Sequence, residues 1–296
     1  NAFHFIAALY ASLIVLGSCT NSLIIIATIR TKTLHSTCSI LIAFCALSDI
    51  LHQFGHLPKI IPILFLRDSY ICSFTCSIIQ IIPNFGLSAG VILLLLIAID
   101  RLLSVHFSPL TINKHSHAIM MCHTIAILTY ASIQYYLAYR YFEERNVICS
   151  PPSMHQGFAF ELWGMLTLSV ILLSVTIYFA VWKELEHSGV RANLLHTKRV
   201  FRSVIAVMCT LILGWLLTMT IVMVNRFVLD LQGSAKIIGT EVAGMPANIA
   251  LTLNCFVLYS TSVEYRRAFR RQLRAVPLIA RLFQDKKVLT LSLETT

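Results

Sequence analysis

Charge is what this 296-residue chain has least of: Asp, Glu, Lys and Arg make up 12% of it, against 57% hydrophobic residues. A soluble domain carries about 25% charged residues, so too little polar surface remains to keep such a chain dissolved. Lipid, by contrast, can cover an apolar flank. Also lacking is a leader pattern, because no charged segment precedes a short apolar core with a small-residue cleavage site. The first apolar stretch, 3–29, is too long for one and is read as a helix that stays. The chain begins at Asn1 rather than Met, so an N-terminal tail is expected to precede it. No Cys/His spacing suggests a zinc site, and no nucleophile–base pair lies on one face. An enzyme is not expected, nor any cofactor or metal. No internal repeat is visible, which argues against transporters built from repeated halves.

What is present is a series of long apolar stretches at about 3–29, 39–57, 72–99, 118–139, 158–182, 200–224 and 237–259. Each can cross ~30 Å of hydrocarbon as a helix. The predicted fold is an all-α integral membrane protein, a seven-transmembrane helix bundle over 1–275, followed by a tail at 276–296. With the N-terminus outside, the inner segments hold 17 of the 23 Lys and Arg residues and the outer segments 6, including Lys59 and Lys236. That bias predicts N-outside and C-inside. Glu241 counts among the outer acids that offset the outer bases. The inner excess suits an anionic lipid leaflet and acidic partners, and no nucleic acid is implied.

Nine cysteines are present. Cys72, Cys76 and Cys149 fall on the expected oxidising side, where either Cys72 or Cys76 could bridge to Cys149. Ionisable groups inside a span are costly and point to function. Asp49 is the one acid deep in the core, at similar depth to Asn21 and Asn254, and the three could form a polar knot with water. The alternative is a neutral, merely hydrogen-bonded Asp49. Asp100 and Arg101 end the third span, where a snorkelling Arg beside a neutralising Asp is the plain alternative to a functional pair. After the last span, Tyr265, Phe269 and Leu273 recur every four residues, with Arg266, Arg267, Arg270, Arg271 and Arg274 on the other faces. This predicts a short amphipathic eighth helix at about 263–274 on the inner leaflet. A calmodulin target is the less favoured reading.

Together these residues form a known order of motifs. Gly17 to Asn21, Ala46-Leu-Ser-Asp49, Cys76, Asp100-Arg101-Leu102, Leu213-Gly214-Trp215, Asn254-Cys-Phe-Val-Leu258 and Glu264 to Phe269 resemble the sequence of motifs in rhodopsin-like G-protein-coupled receptors. Within that family, Leu34 to Ala43, Leu47 to Gln53, Val147 to Pro152, and Val257-Leu-Tyr with Glu264-Tyr-Arg266 look similar to nematode serpentine chemoreceptors of the Srsx class.

The resemblance implies a Cys76–Cys149 disulfide and a multi-pass plasma-membrane receptor, in sensory endings if it is chemosensory. It implies a small-molecule ligand and a heterotrimeric G protein as partners. Coupling residues by the same carry-over are Asn21, Asp49, Asp100, Arg101, Trp215 and Asn254, with packing as the alternative role for Trp215. Candidate ligand-binding residues are Gln80, Pro83, Asn84, Leu87, Trp215, Thr218, Met219, Val222, Gly244 and Asn248, for each of which helix packing is the bland alternative. Pro83 stands where amine receptors place an aspartate, so the expected pocket is uncharged and suited to a neutral or weakly polar ligand. A neuropeptide or transmitter receptor of the same fold is the alternative, with a transporter or channel further behind. Asn248 occupies the place of the opsin lysine, which excludes retinal. The chain departs from the family by lacking the fourth-helix tryptophan and the fifth-helix proline. It also has Leu217 and Cys255 at the proline positions of helices six and seven. Two predefined kinks are therefore expected to be missing. Thr197 replaces a common acid, which predicts no ionic lock, and Gly90 and Ala250 replace polar groups, which predicts no sodium site.

Overall fold

A computed structural model describes residues 2–65, 70–107, 114–187, 194–229, 231 and 233–275; side chains at 185–187, 194–200, 234, 236 and 275 are not described. The expected tail at 276–296 lies outside the described residues, as do Arg67, Asp68, Arg191 and Asp230. The side chains of Thr197, Lys198, Arg199 and Lys236 do as well.

Among the described residues, seven helices are long and apolar enough to cross a membrane: Ala2–Arg30, Thr37–Phe65, Ile81–His106, Ser116–Arg140, Phe158–Glu184, Phe201–Val228 and Ile237–Thr261. The chain is an all-α seven-helix membrane bundle. Phe44, Leu47, Ile125, Leu173, Phe179 and Leu213 are exposed on the flanks, where hydrocarbon rather than water is the fitting solvent. The interior holds a large apolar core that includes Leu41, Leu93, Ile97, Ile171, Met208, Leu211 and Leu258, and a smaller cluster of Ile6, Ala7, Tyr10, Ile14 and Ile60. A further helix, Val263–Ala275, follows the last span. It buries Tyr265, Ala268 and Phe269 and leaves Arg267, Arg270, Arg271 and Arg274 exposed. Burial pushes the Tyr265 phenol up to about 12, so it stays protonated 3.5 Å from Thr28 Oγ1.

Three spans break near one end of the bundle, and proline follows each break. The second divides into Thr37–Phe54 and Leu57–Phe65, with Pro58 next to the start of the second piece. The third divides into Ser73–Ile79 and Ile81–His106, with Pro83 in the new first turn. The seventh divides into Gly233–Ala243 and Met245–Thr261, with Pro246 at its start. Proline fits the first turn of a helix because the N–H it lacks has no intrahelical acceptor there. Helix six runs unbroken from Leu194 to Met223 and ends in a π-turn at Val224–Val228. Loss of the proline at Cys255 therefore does not leave span seven unkinked. The break has moved to Gly244.

The break near Gly55 frees a backbone carbonyl, which a buried amide satisfies, while Gly244 O keeps its bond from Asn248 N at 3.3 Å. Gln80 Nε2 donates to Gly55 O at 2.7 Å, and Asn248 Nδ2 donates to Gly244 O at 2.9 Å. Gly55 cannot carry a side chain, because a Cβ there would lie 2.6 Å from Pro83 Cβ and 2.7 Å from Pro151 Cγ. At the same end Cys76 and Cys149 form a disulfide. The strands Ile71–Cys72 and Asn146–Val147 pair antiparallel beside it, and a 3-10 turn at Pro151–Met154 follows. Cys72 is unbridged and sits 3.7 Å from Glu144 Oε1.

Candidate functional site

The bundle holds a cavity at each end and a polar seam between them. At the disulfide end, an inner cavity of about 40 Å³ is lined by Tyr10, His52, His56, Lys59, Leu87, Trp163, Trp215, Thr218, Glu241, Gly244 and Asn248, among others. A wider vestibule of about 280 Å³, lined by Arg145, His155, Phe160, Val222, Asn225 and Arg226, shares Ser150, Pro152 and Thr240 with it. The loop that follows the disulfide thus forms part of the wall of both.

The inner cavity corrects the sequence reading. Lys59, counted above as an outer-segment base, lies inside the second span and is 2% exposed. It forms an ion pair with the buried Glu241 of span seven. The Lys59 ammonium sits 3.7 Å above the Tyr10 ring, a cation–π contact that grows stronger on desolvation. Tyr10 Oη donates to the Glu241 backbone carbonyl at 2.8 Å, and its ring lies 4.5 Å from that of His56. His52 touches both His56 and Trp215. The expected uncharged lining is therefore wrong, because a full ion pair stands in the wall. The signal was present in the sequence. The apolar run continues past Lys59 as Ile60, Ile61, Ile63, Leu64 and Phe65, and a span drawn from 237 already encloses Glu241.

Of the expected ligand residues, Leu87, Trp215, Thr218, Gly244 and Asn248 line the inner cavity and Val222 lines the vestibule. Gln80, Pro83, Asn84 and Met219 line neither. Gln80 is committed to Gly55, and Asn84 Nδ2 points to Met154 Sδ at 2.8 Å. Met219 is buried in the core.

The seam runs below Trp215. Asn254 Nδ2 donates to Asp49 Oδ2 at 2.8 Å. Asn21 meets span seven through its backbone instead, donating to Leu251 O at 3.2 Å. Gln53 Nε2 donates to Thr252 Oγ1 at 3.1 Å. A void of about 10 Å³ next to Asp49 is lined by His52, Leu87, Gly90 and Trp215, about the space of one water. His52, Leu87 and Trp215 therefore face both this void and the cavity above it.

At the other end, a cavity of about 1000 Å³ is lined by Arg30, Lys32, Cys38, Arg101, Val204, Leu258, Glu264, Arg267 and Arg271, among others. Arg101 pairs with its neighbour Asp100 through Nε at 3.1 Å and Nη2 at 2.5 Å. Thr197, at which the sequence predicts no ionic lock, lies outside the residues with described side chains.

His155, in the loop over the vestibule, was not foreseen. It stacks on Trp163 at 5.6 Å and is buried. Burial lowers its pKa from the ordinary 6.5 to about 4. The unfolded loop thus takes up a proton between these values that the folded loop refuses, so stability falls as pH drops through that window. The melting midpoint should decline from about pH 6.5 towards pH 4, and His155→Phe, which keeps the stack, should flatten that decline. An unchanged slope in the variant would assign the acid sensitivity elsewhere.

A seven-helix bundle with a disulfide-tied cap over one cavity, a buried Asp–Asn pair at mid-depth and an arginine in a wide cavity opposite defines the class of G-protein-coupled receptors. A family model described as "Serpentine type 7TM GPCR chemoreceptor Srsx" matches residues 14–273. The chain belongs to that family and is a chemosensory receptor of this type. No curated protein matches it.

Proposed function

We propose that this receptor lies in the plasma membrane of sensory endings with its N-terminus and disulfide end outside. It takes a small ligand into the vestibule and inner cavity and activates a heterotrimeric G protein through the Arg101 cavity. The observation that carries this reading is the pair of cavities at opposite ends of one bundle, joined by Trp215 and the Asp49–Asn254 seam. A disulfide forms on the oxidising side of a membrane, and the bias of basic residues, 17 in the inner segments against 5 in the outer ones once Lys59 is placed in its span, supports the Arg101 end as the inner one.

The mechanism is a population shift. A ligand moves the equilibrium only if it binds the signalling arrangement better than the resting one. Pressure on Trp215 passes to the void it shares with Asp49, then through Asn254 to span seven. Leu258 of that span lines the far cavity. Opening there frees the Arg101 guanidinium to receive the G-protein α-subunit. The exposed arginines of the last helix favour the anionic inner leaflet.

The test is expression of the chain with a G-protein reporter and a screen of small water-soluble and volatile compounds. A confirmed agonist should lose about 100-fold or more of its signal in Arg101→Ala, a loss of about 2.7 kcal/mol in coupling, with surface expression retained. An undiminished signal would remove Arg101 from the coupling machinery.

A further inference from the structure

The Lys59–Glu241 pair stands in the wall of a cavity, and the polar groups around it are incompletely paired. Asn248 Nδ2 lies 3.3 Å from His56 Nε2, and an amide nitrogen only donates. His56 Nε2 therefore accepts, the ring is neutral, and its proton is on Nδ1. That nitrogen is buried and has no partner, as is Nδ1 of His52. Both rings line the inner cavity. An orphaned donor beside a buried ammonium is what an incoming carboxylate needs.

Charge balance narrows the ligand further. An anion seated on Lys59 would strand the Glu241 carboxylate without a counter-ion, and a cation seated on Glu241 would strand Lys59. An unpaired buried charge is costly. A ligand carrying both charges leaves neither alone. We infer that the receptor takes a small zwitterion of the α-amino-acid kind, with its carboxylate on Lys59 and the His56 Nδ1–H and its ammonium on Glu241.

Size and surroundings agree. The two adjacent cavities, about 40 and 280 Å³, share Ser150, Pro152 and Thr240 as wall, and together they come to the low end of ligand pockets, roughly 300–1,000 Å³. Leu87, Trp163 and Trp215 give a side chain an apolar wall. Arg226 of the vestibule wall is already paired, with its Nη2 3.4 Å from Glu161 Oε1. Insertion exchanges one ion pair for two and requires spans two and seven to part. That separation is the preference for a second arrangement that a receptor ligand must have.

This inference rests on the disulfide-end cavity being the ligand site, and its test uses no G protein. The full chain in lipid nanodiscs is melted with each standard protein amino acid, its deaminated acid and its decarboxylated amine. At least one amino acid should raise the wild-type midpoint, with its matched acid and amine at least about tenfold weaker. Glu241→Gln should shift the preference to the acid, and Lys59→Gln to the amine. If the single variants do not fold, the charge-swapped K59E/E241K receptor decides, because it restores the pair and should keep the preference for zwitterions. The inference fails if no amino acid shifts the wild-type midpoint or if acid or amine binds as well. It fails too if the folded charge-swapped receptor loses the preference. A receptor that signals to another ligand yet ignores all amino acids overturns this inference alone and leaves the proposed function standing.

Discussion

Lys59→Met should cost about 3–5 kcal/mol of stability, among the largest effects of any single change in this chain. The lysine is buried in span two, and its partner Glu241 is buried in span seven. Removing one partner leaves the other charge in a wall of aromatic rings and aliphatic carbon, where solvation is poor. The cation–π contact with Tyr10 goes as well. Removing both should behave differently. A Lys59→Met/Glu241→Leu double variant trades the pair for apolar packing, which is often neutral or stabilising. Melting of the purified protein in detergent checks both. A double variant as unstable as the single would mean that the cost comes from lost packing around Lys59, not from an orphaned charge.

Cys149→Ser is the second large case. The disulfide closes a loop with a sequence separation of 73 residues, and loss of such a tie costs about 2–5 kcal/mol. Here the loss is also local to the proposed ligand end. Ser150 and Pro152 follow the bridge directly and wall both cavities. The adjacent two-residue strands hold Ile71 to Val147 and Cys72 to Asn146, too short a ladder to stand alone. Ser73 N donates to Arg145 O at 2.8 Å, which depends on the same tether. The variant should therefore melt lower, and its agonist affinity should fall further than Arg101 signalling at saturating agonist. Equal affinity in variant and wild type would show that the loop shapes no part of the site.

The apolar runs made the bundle legible in the sequence. Seven of them are long enough to span, and the residues at fixed depth within them (Asn21, Asp49, Arg101, Trp215, Asn254) fall where the motif order puts them. Asp49 and Asn254 meet directly, as two polar groups at one depth in hydrocarbon must. What escaped was the cavity wall. The apolar stretch drawn for span two, 39–57, stops just short of Pro58 and Lys59. Pro58 instead starts a second helical piece that carries Lys59 back into the bundle. Its partner is 182 residues away, so local pattern could not reveal that its charge was balanced. The same holds for Gln80 and Asn84. Their depth suggested a pocket, but Gln80 is spent on the Gly55 carbonyl that the break in span two exposes. His155 left no trace, because a histidine in a loop reads as solvated until Trp163 is seen beneath it.

Nucleotide exchange on a purified heterotrimeric G protein, driven by this receptor alone in lipid nanodiscs, tests the central claim most directly. With an agonist found by screening, the wild-type receptor should accelerate exchange, while Arg101→Ala should bind that agonist with unchanged affinity and accelerate nothing. A folded wild-type receptor that binds agonist but leaves exchange at its basal rate with every G-protein class would contradict the account.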